Sequence, residues 1–268
     1  MNAQSFADYP VAVVTGGARG IGLAVGEWFL NHHYKVALLD NNQTTLDEAI
    51  MRIGKPELVI GIHCDISNIH DVERAAQKVI STFGHVDALV NNAGVAIFKP
   101  VLETSFEEFR TVLGTNLDGT FICSQIFGRL MVKNGGGSIV NIASISGLRA
   151  STLRVAYGTS KAAIIHLTKQ YAVELGNYNV RVNAIAPGPV DTEMAKLVHS
   201  VAIRADYHDT IPLERYGTPE EMANAIGFLC SAEASFINGQ ILAVDGGFEA
   251  AGVGLPTLRR NMKTATLN

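Results

Sequence analysis

Short runs rich in β-branched residues alternate with longer helical patterns along most of the chain. Residues 11–15 (VAVVT), 35–40 (KVALLD), 58–64, 86–91 (VDALVN), 138–143 (SIVNIA), 180–185 (VRVNAI) and 240–244 (QILAV) read as strands. Most are unbroken apolar runs, not period-two alternations, as expected of strands covered on both faces in a parallel sheet. Helical patterns fill the intervals, over 21–31, 44–53, 69–83, 106–133, 156–175 and 219–230. Repeated strand–helix units imply right-handed crossovers. The expected fold is therefore α/β: a doubly wound parallel sheet of about seven strands with helices on both faces.

No linker divides the pattern, so residues 1–268 are expected to form a single domain. The glycines at 135–137 read as a helix-to-strand turn. Residues 190–216 are different. They carry weak strand character and mixed charge between a late strand and a late helix, which predicts a lid or binding loop. The tail at 249–268 is expected either to pack on a neighbouring subunit or to move freely.

Composition narrows the function classes. Apolar residues make up 47% of the 268 and charged residues 17%, which excludes a disordered or fibrous chain. A net charge of −4 argues against nucleic acid as the main partner. The three cysteines, Cys64, Cys123 and Cys230, are far apart and form no CxxC pair. They suit a reducing, cytoplasmic setting and provide no disulfide framework. The opening MNAQSFADYP lacks the basic-then-apolar pattern of a secretory leader, and no apolar run approaches the ~20 residues of a membrane helix. The expectation is a protein that engages neither membrane nor nucleic acid. No metal site is expected: His32 and His33 are adjacent and do not face one ion, and His63, His166 and His199 lack a carboxylate at ligand spacing. His199 is expected to be solvated, and Trp28 to pack on the first helix. The phenylalanines from Phe98 to Phe127 fit helix packing better than a base-stacking platform.

The first strand runs directly into Thr15-Gly16-Gly17-Ala18-Arg19-Gly20-Ile21-Gly22, and a helix follows. Glycines there let the backbone turn sharply and approach a diphosphate, whose charge the helix N-terminus favours. The position, at the first strand–helix junction of a doubly wound sheet, is where dinucleotides bind. Asp40 ends the second strand, where a carboxylate accepts hydrogen bonds from adenosine ribose hydroxyls and repels a 2′-phosphate. That favours NAD(H), while Arg19 in the glycine loop keeps NADP(H) as the second candidate.

This glycine pattern, with Asn91-Asn92-Ala93-Gly94, Ser144, Tyr157-Gly158-Thr159-Ser160-Lys161 and Pro187-Gly188, resembles the short-chain dehydrogenase/reductase family over about residues 11–248. The resemblance implies a Rossmann-like domain and an NAD(P)-dependent oxidoreductase that interconverts a secondary alcohol and its ketone. It implies Tyr157 as general acid/base and Ser144 as the group that orients the substrate oxygen, with Ser146 as the competing serine. Lys161, four residues beyond Tyr157 on the same helix face, would favour the phenolate and bond the nicotinamide ribose. Asn116 matches the family asparagine that supports a water chain towards that lysine. Among cofactor contacts, Gly16, Arg19, Gly20, Ile21, Gly22 and Asp40 would serve the phosphates and ribose. Asp65 and Ile66 would lie beside the adenine, and Asn92, Ala93 and Gly94 along the adenosine. Pro187, Gly188, Val190 and Thr192 would border the nicotinamide. Asn91 is read as a brace of the central sheet. A homotetramer is the assembly that the resemblance implies.

The substrate is weakly encoded. Pocket candidates are Ala96 to Phe98, Ile145 to Leu148, Arg154 and the 194–207 stretch. An arginine facing the pocket would favour an anionic substrate such as a hydroxy acid. If Arg149 and Arg154 both point outward, the expected arrangement, a neutral diol, polyol or cyclic alcohol is favoured. Two other readings remain: an NADPH-dependent 3-oxoacyl-carrier-protein reductase, and a non-catalytic NAD(P)-sensing protein on the same fold.

Overall fold

The computed structural model describes residues 8–252 and 254–259, without the side chains of Met194 and Leu197. Met194 as a pocket residue and the tail at 260–268 thus lie outside the described residues.

Seven strands form one parallel sheet in the order β3-β2-β1-β4-β5-β6-β7. They are β1 (Val11–Thr15), β2 (Lys35–Asp40), β3 (Val59–His63), β4 (Ala88–Asn91), β5 (Gly137–Ile142), β6 (Val180–Pro187) and β7 (Ile241–Val244). The helices are α1 (Gly20–Asn31), α2 (Gln43–Ile53), α3 (Ile69–Phe83), α4 (Phe106–Leu113), α5 (Gly119–Lys133), α6 (Ile145–Leu148), α7 (Val155–Leu175), α8 (Glu193–Val198), α9 (Val201–Thr210) and α10 (Pro219–Cys230). Strand ends fall within two residues of the sequence reading, and β6 runs on to Pro187, which pairs with Val244.

Alternate side chains of the central strands feed two cores. Ala12, Val14, Val36, Leu38, Val90 and Val140 meet α1, α2 and α10, while Val11, Val13, Ala37, Leu39, Leu89 and Ile139 meet α3, α5 and α7. Burial on both faces explains the unbroken apolar runs. The edge strand β3 is more open, with Val59 buried, Ile60 and Ile62 half-buried and Gly61 and His63 exposed. Trp28 packs between α1 and α10, so close that a Cβ on Gly227 would lie 2.4 Å from its ring.

Two segments depart from the sequence reading. The helical pattern at 106–133 is broken by a π turn over Gly114–Asp118, with Asn116 fully buried inside it. Residues 190–216 are mostly helical, with Thr192 and Ser200 capping α8 and α9 through their side chains. Both ends of this segment are pinned together. Val190 bridges Gly217, Asp191 N–H donates to Gly217 O at 2.9 Å, and Gly217 N–H donates to Pro189 O at 2.9 Å. The described part of the tail lies over the same segment, with Arg259 near Glu214 at 3.7 Å.

Candidate active site

Strand order reverses between β1 and β4, and a cleft of about 400 Å³ opens beyond their C-terminal ends. The loop after β4 is stitched to the glycine loop after β1. Asn92 N–H and Ala93 N–H each donate to Thr15 Oγ1 at 3.0 Å, and Asn92 Nδ2 donates to Thr15 O at 2.9 Å and Gly16 O at 3.0 Å. Gly16 and Gly20 hold positive φ of 61° and 55°. A Cβ on Gly20 would meet nothing nearer than Thr192 Cγ2 at 3.7 Å, so its bare backbone faces open space. Helix α1 starts there with no side-chain cap and no acidic residue in its first turn. Its first N–H groups are therefore available to an anion. Gly22 works differently. A Cβ there would lie 2.1 Å from Gly16 O, so this glycine permits the turn to pack and does not line the cleft.

Asp40 sits at the rim of the same cleft. Its carboxylate accepts from Ala18 N–H and Asn42 N–H, both at 3.1 Å. A carboxylate has about four lone-pair sites, so acceptor capacity remains for sugar hydroxyls. Asp65 takes Ser67 N–H at 2.9 Å and Ser67 Oγ–H at 2.7 Å, a turn cap that still lines the cleft. Arg19, Ile21, Ile66, Gly94, Pro187, Gly188, Val190 and Thr192 line it as well. These residues fit a dinucleotide: an uncapped helix start, an open glycine backbone and an acidic rim lie along one groove.

The other end holds the expected chemical groups. Ser144 caps α6 by accepting from Ser146 N–H at 3.1 Å, and its hydroxyl hydrogen-bonds Tyr157. Burial pushes the Tyr157 phenol up, while the Ser144 bond and the Arg154 charge pull it down. Lys161, buried, donates from Nζ to Ile142 O at 2.7 Å and lies 5.6 Å from the centre of the Tyr157 ring. Loss of hydration lowers its pKa to about 8. Ser144 and Arg154 both favour the phenolate here, with the Lys161 ammonium on the same ring.

Asn116 does not reach the cleft lining. Its Oδ1 accepts from Val95 N–H at 2.8 Å, and its Nδ2 donates to Val95 O at 3.0 Å and Ser160 Oγ at 2.9 Å. It ties the loop after β4 to α7. The π turn aims it there, and no sequence signal marked that turn. Asn91 likewise braces the sheet, donating to Ser124 Oγ at 2.9 Å and Asn141 Oδ1 at 2.8 Å.

Ser146 Oγ hydrogen-bonds Ser151 Oγ at 2.9 Å and accepts from Arg154 Nη1 at 3.3 Å. Arg149 turns outward to Glu249 at 2.6 Å, but Arg154 lines the cleft, which corrects the expectation that both point away. His199 is also corrected: it is half-buried, with Nδ1 3.0 Å from Tyr216 Oη. Leu39, Cys64 and Thr115 line the cleft, a position the sequence reading did not assign to them. Only their neighbours in sequence pointed to them. Burial pushes the Cys64 thiol up to about 12, so it is no nucleophile. Among the described residues no group of His, Cys, Asp and Glu is arranged to hold a metal, and no helix is long and apolar enough to cross a membrane.

Residues 16–249 match the family model described as enoyl-(acyl carrier protein) reductase. The chain belongs to the short-chain dehydrogenase/reductase family. It is 38% identical over 238 residues to the NAD-dependent glycerol dehydrogenase of Listeria innocua, covering 89% of this chain and 93% of that protein. It is 39% identical over 239 residues to a 3-oxoacyl-[acyl-carrier-protein] reductase of Chlamydia muridarum, covering 88% of this chain and 96% of the other. Among solved structures, a 7α-hydroxysteroid dehydrogenase complexed with NADH and 7-oxo glycochenodeoxycholic acid superposes with a TM-score of 0.86 at 36% identity, covering 89% of this chain and 93% of that one. This short-chain dehydrogenase/reductase is an oxidoreductase with the Rossmann-like sheet of the family.

The depressed lysine gives a pH signature. Lys161 keeps its proton to about pH 10.5 in the unfolded chain but sheds it near 8 in the fold. Between those values the unfolded state binds more protons, so the Lys161 contribution to stability rises with pH, in the limit by about 3 kcal/mol. Denaturant titrations of wild type and Lys161→Met at pH 7, 8.5 and 10 should therefore show wild type gaining on the variant at each step. A constant difference would show that the lysine stays charged throughout.

Proposed function

We propose that this protein interconverts a secondary alcohol and its ketone with NAD(H), using Tyr157 as the general acid/base. One observation carries the reading: Ser144, Tyr157 and Lys161 line the same cleft as the open glycine turn and the Asp40 carboxylate. When bound, the nicotinamide dinucleotide gives or accepts the hydride. Gly16, Gly20 and the start of α1 would hold its phosphates, and Asp40 its adenosine ribose. Tyr157 takes the hydroxyl proton in oxidation and returns it to the carbonyl oxygen in reduction. Ser144 accepts from Ser146 N–H, which leaves its own hydroxyl hydrogen for the phenol or the substrate oxygen. Lys161 spends one of its three N–H donors on Ile142 O, and the others are available to ribose hydroxyls and to Tyr157.

Residues 190–216 are the substrate lid in this reading. The exposed apolar side chains Phe106 on α4 and Phe121 on α5, with Phe236 before β7 and Leu242 within it, support a homotetramer. The buried, unpaired cysteines suit a cytoplasmic setting. A screen following NAD+ reduction with diols, sugar alcohols, hydroxy acids, sterols and cyclic alcohols, and NADH oxidation with the matching ketones, tests the reading. Turnover in at least one pair is expected. Tight NADH binding with no turnover in any pair would make the protein a dinucleotide sensor instead.

A further inference from the structure

The substrate end of the cleft contains an arginine outside the Ser144–Tyr157–Lys161 set. Arg154 caps α7 three residues before Tyr157, and its guanidinium lies 5.1 Å from the centre of the Phe98 ring. Its polar contacts are few and long: Nη1 to Ser146 Oγ at 3.3 Å, and Nη2 to Tyr207 Oη at 3.3 Å and His199 Nε2 at 3.5 Å. All three partners are neutral hydroxyls or an imidazole. Burial and the charges of Arg154 and Arg204 push His199 down from its ordinary value, so it remains uncharged near neutral pH. Because a guanidinium only donates, His199 Nε2 must accept, and Nδ1–H then donates to Tyr216 Oη.

The arginines around the lid and tail have carboxylate partners: Arg204 with Asp191, Arg149 with Glu249, Arg215 with Glu221 and Arg259 with Glu214. Arg154 has none among the described residues. The lid carboxylate lining the cleft, Glu193, opens α8 directly after Thr192, whose methyl group stands over Gly20 at the dinucleotide end. A guanidinium held against an aromatic face, half-buried and lacking a counter-ion, is poised for a planar anion.

We propose that Arg154, with Tyr207 and His199 from the lid, forms an anion subsite that selects substrates carrying a carboxylate close to the reacting carbon. The inference rests on the proposed alcohol–ketone chemistry and names its substrate class: a short hydroxy acid or the matching keto acid. Arg154 and Tyr157 stand three positions apart at the start of α7 and line the same cleft, so a carboxylate on the guanidinium is expected close to the carbinol. Phe98 holds the guanidinium plane, and the lid closes over the head group.

The test compares 3-hydroxybutyrate and 4-hydroxypentanoate with their methyl esters, following NAD+ reduction by wild type, Arg154→Gln and Arg154→Lys. Wild type should favour at least one acid over its ester by tenfold or more in kcat/KM. Hydrogen bonds to charged groups are worth roughly 1.5–3 kcal/mol, so the Gln variant should shrink that ratio by about 10- to 100-fold, mainly through the KM of the acid. The Lys variant should fall between, keeping the charge but losing the two-pronged geometry. A wild type that favours the ester, or an acid-to-ester ratio unchanged in Arg154→Gln, overturns the subsite. Calorimetry with sodium butyrate on the NADH-loaded protein gives an independent reading. If no alcohol or ketone turns over at all, the proposed reaction fails, and butyrate decides the subsite alone. Binding by wild type that is lost in Arg154→Gln supports it, and no binding by wild type refutes it.

Discussion

Replacing Tyr157 with phenylalanine is expected to lower kcat by ~10²–10⁴, the usual worth of general acid–base assistance, while NADH binding measured by fluorescence stays within a few-fold of wild type. In the proposed reaction the phenol carries the proton. Burial works against its ionisation, and the Ser144 hydroxyl and Arg154 charge work for it. Phenylalanine keeps the ring, so α7 and the wall of the cleft should be preserved. Oxidation by wild type should accelerate as pH rises, because the proton-accepting form of Tyr157 becomes more populated. The variant should lose that dependence together with its rate. Retention of more than a tenth of wild-type turnover would remove Tyr157 from the proton-transfer step.

The second large effect concerns the choice of dinucleotide. Asp40→Ser should weaken NAD+ by roughly 10- to 100-fold in KM, since hydrogen bonds to a charged acceptor are worth roughly 1.5–3 kcal/mol. It should also admit NADP+, because the charge that repels a 2′-phosphate has gone and Arg19 stands exposed in the adjoining turn. The NAD+ to NADP+ ratio of kcat/KM is expected to fall by at least 100-fold. A wild type that already prefers NADPH would contradict the assignment of Asp40 and favour the carrier-protein reductase reading. Asp40 also holds the Ala18 and Asn42 N–H groups, so the melting temperature should be checked alongside.

The sheet was legible in the sequence because its strands are buried on both faces. Val11–Thr15 and Lys35–Asp40 could hide no polar side chain except at their ends, and their apolar runs show it. The glycine turn was legible for a related reason: at Gly16 and Gly22 the backbone leaves no room for a side chain. The π turn was not, because a local widening of a helix alters the register without altering the residue types. The helices of the 190–216 segment were hidden because α9 buries none of its side chains and so has no apolar face to betray it.

The direction of Arg154 was illegible because it depends on the residue before it. Leu153 takes a left-handed φ of 62°, unusual for leucine, and its carbonyl accepts Lys99 N–H at 3.1 Å. That backbone corner, fixed by a contact from across the cleft, turns the arginine inward. No pattern of residue types announces it.

The widened turn at Gly114–Asp118 also says which residue of this helix is spare. A π turn is in effect one residue inserted into an α-helix. Deleting one residue from it lets the backbone close into regular α-helix with everything downstream kept in place, so Phe127 and Met131, both fully enclosed, should stay in the core. What such a shortened chain should lose is the aim of Asn116 at Val95 and Ser160. The extra residue is retained for that grip and not for the helix, so a chain without it should fold yet leave the loop after β4 loose beside α7.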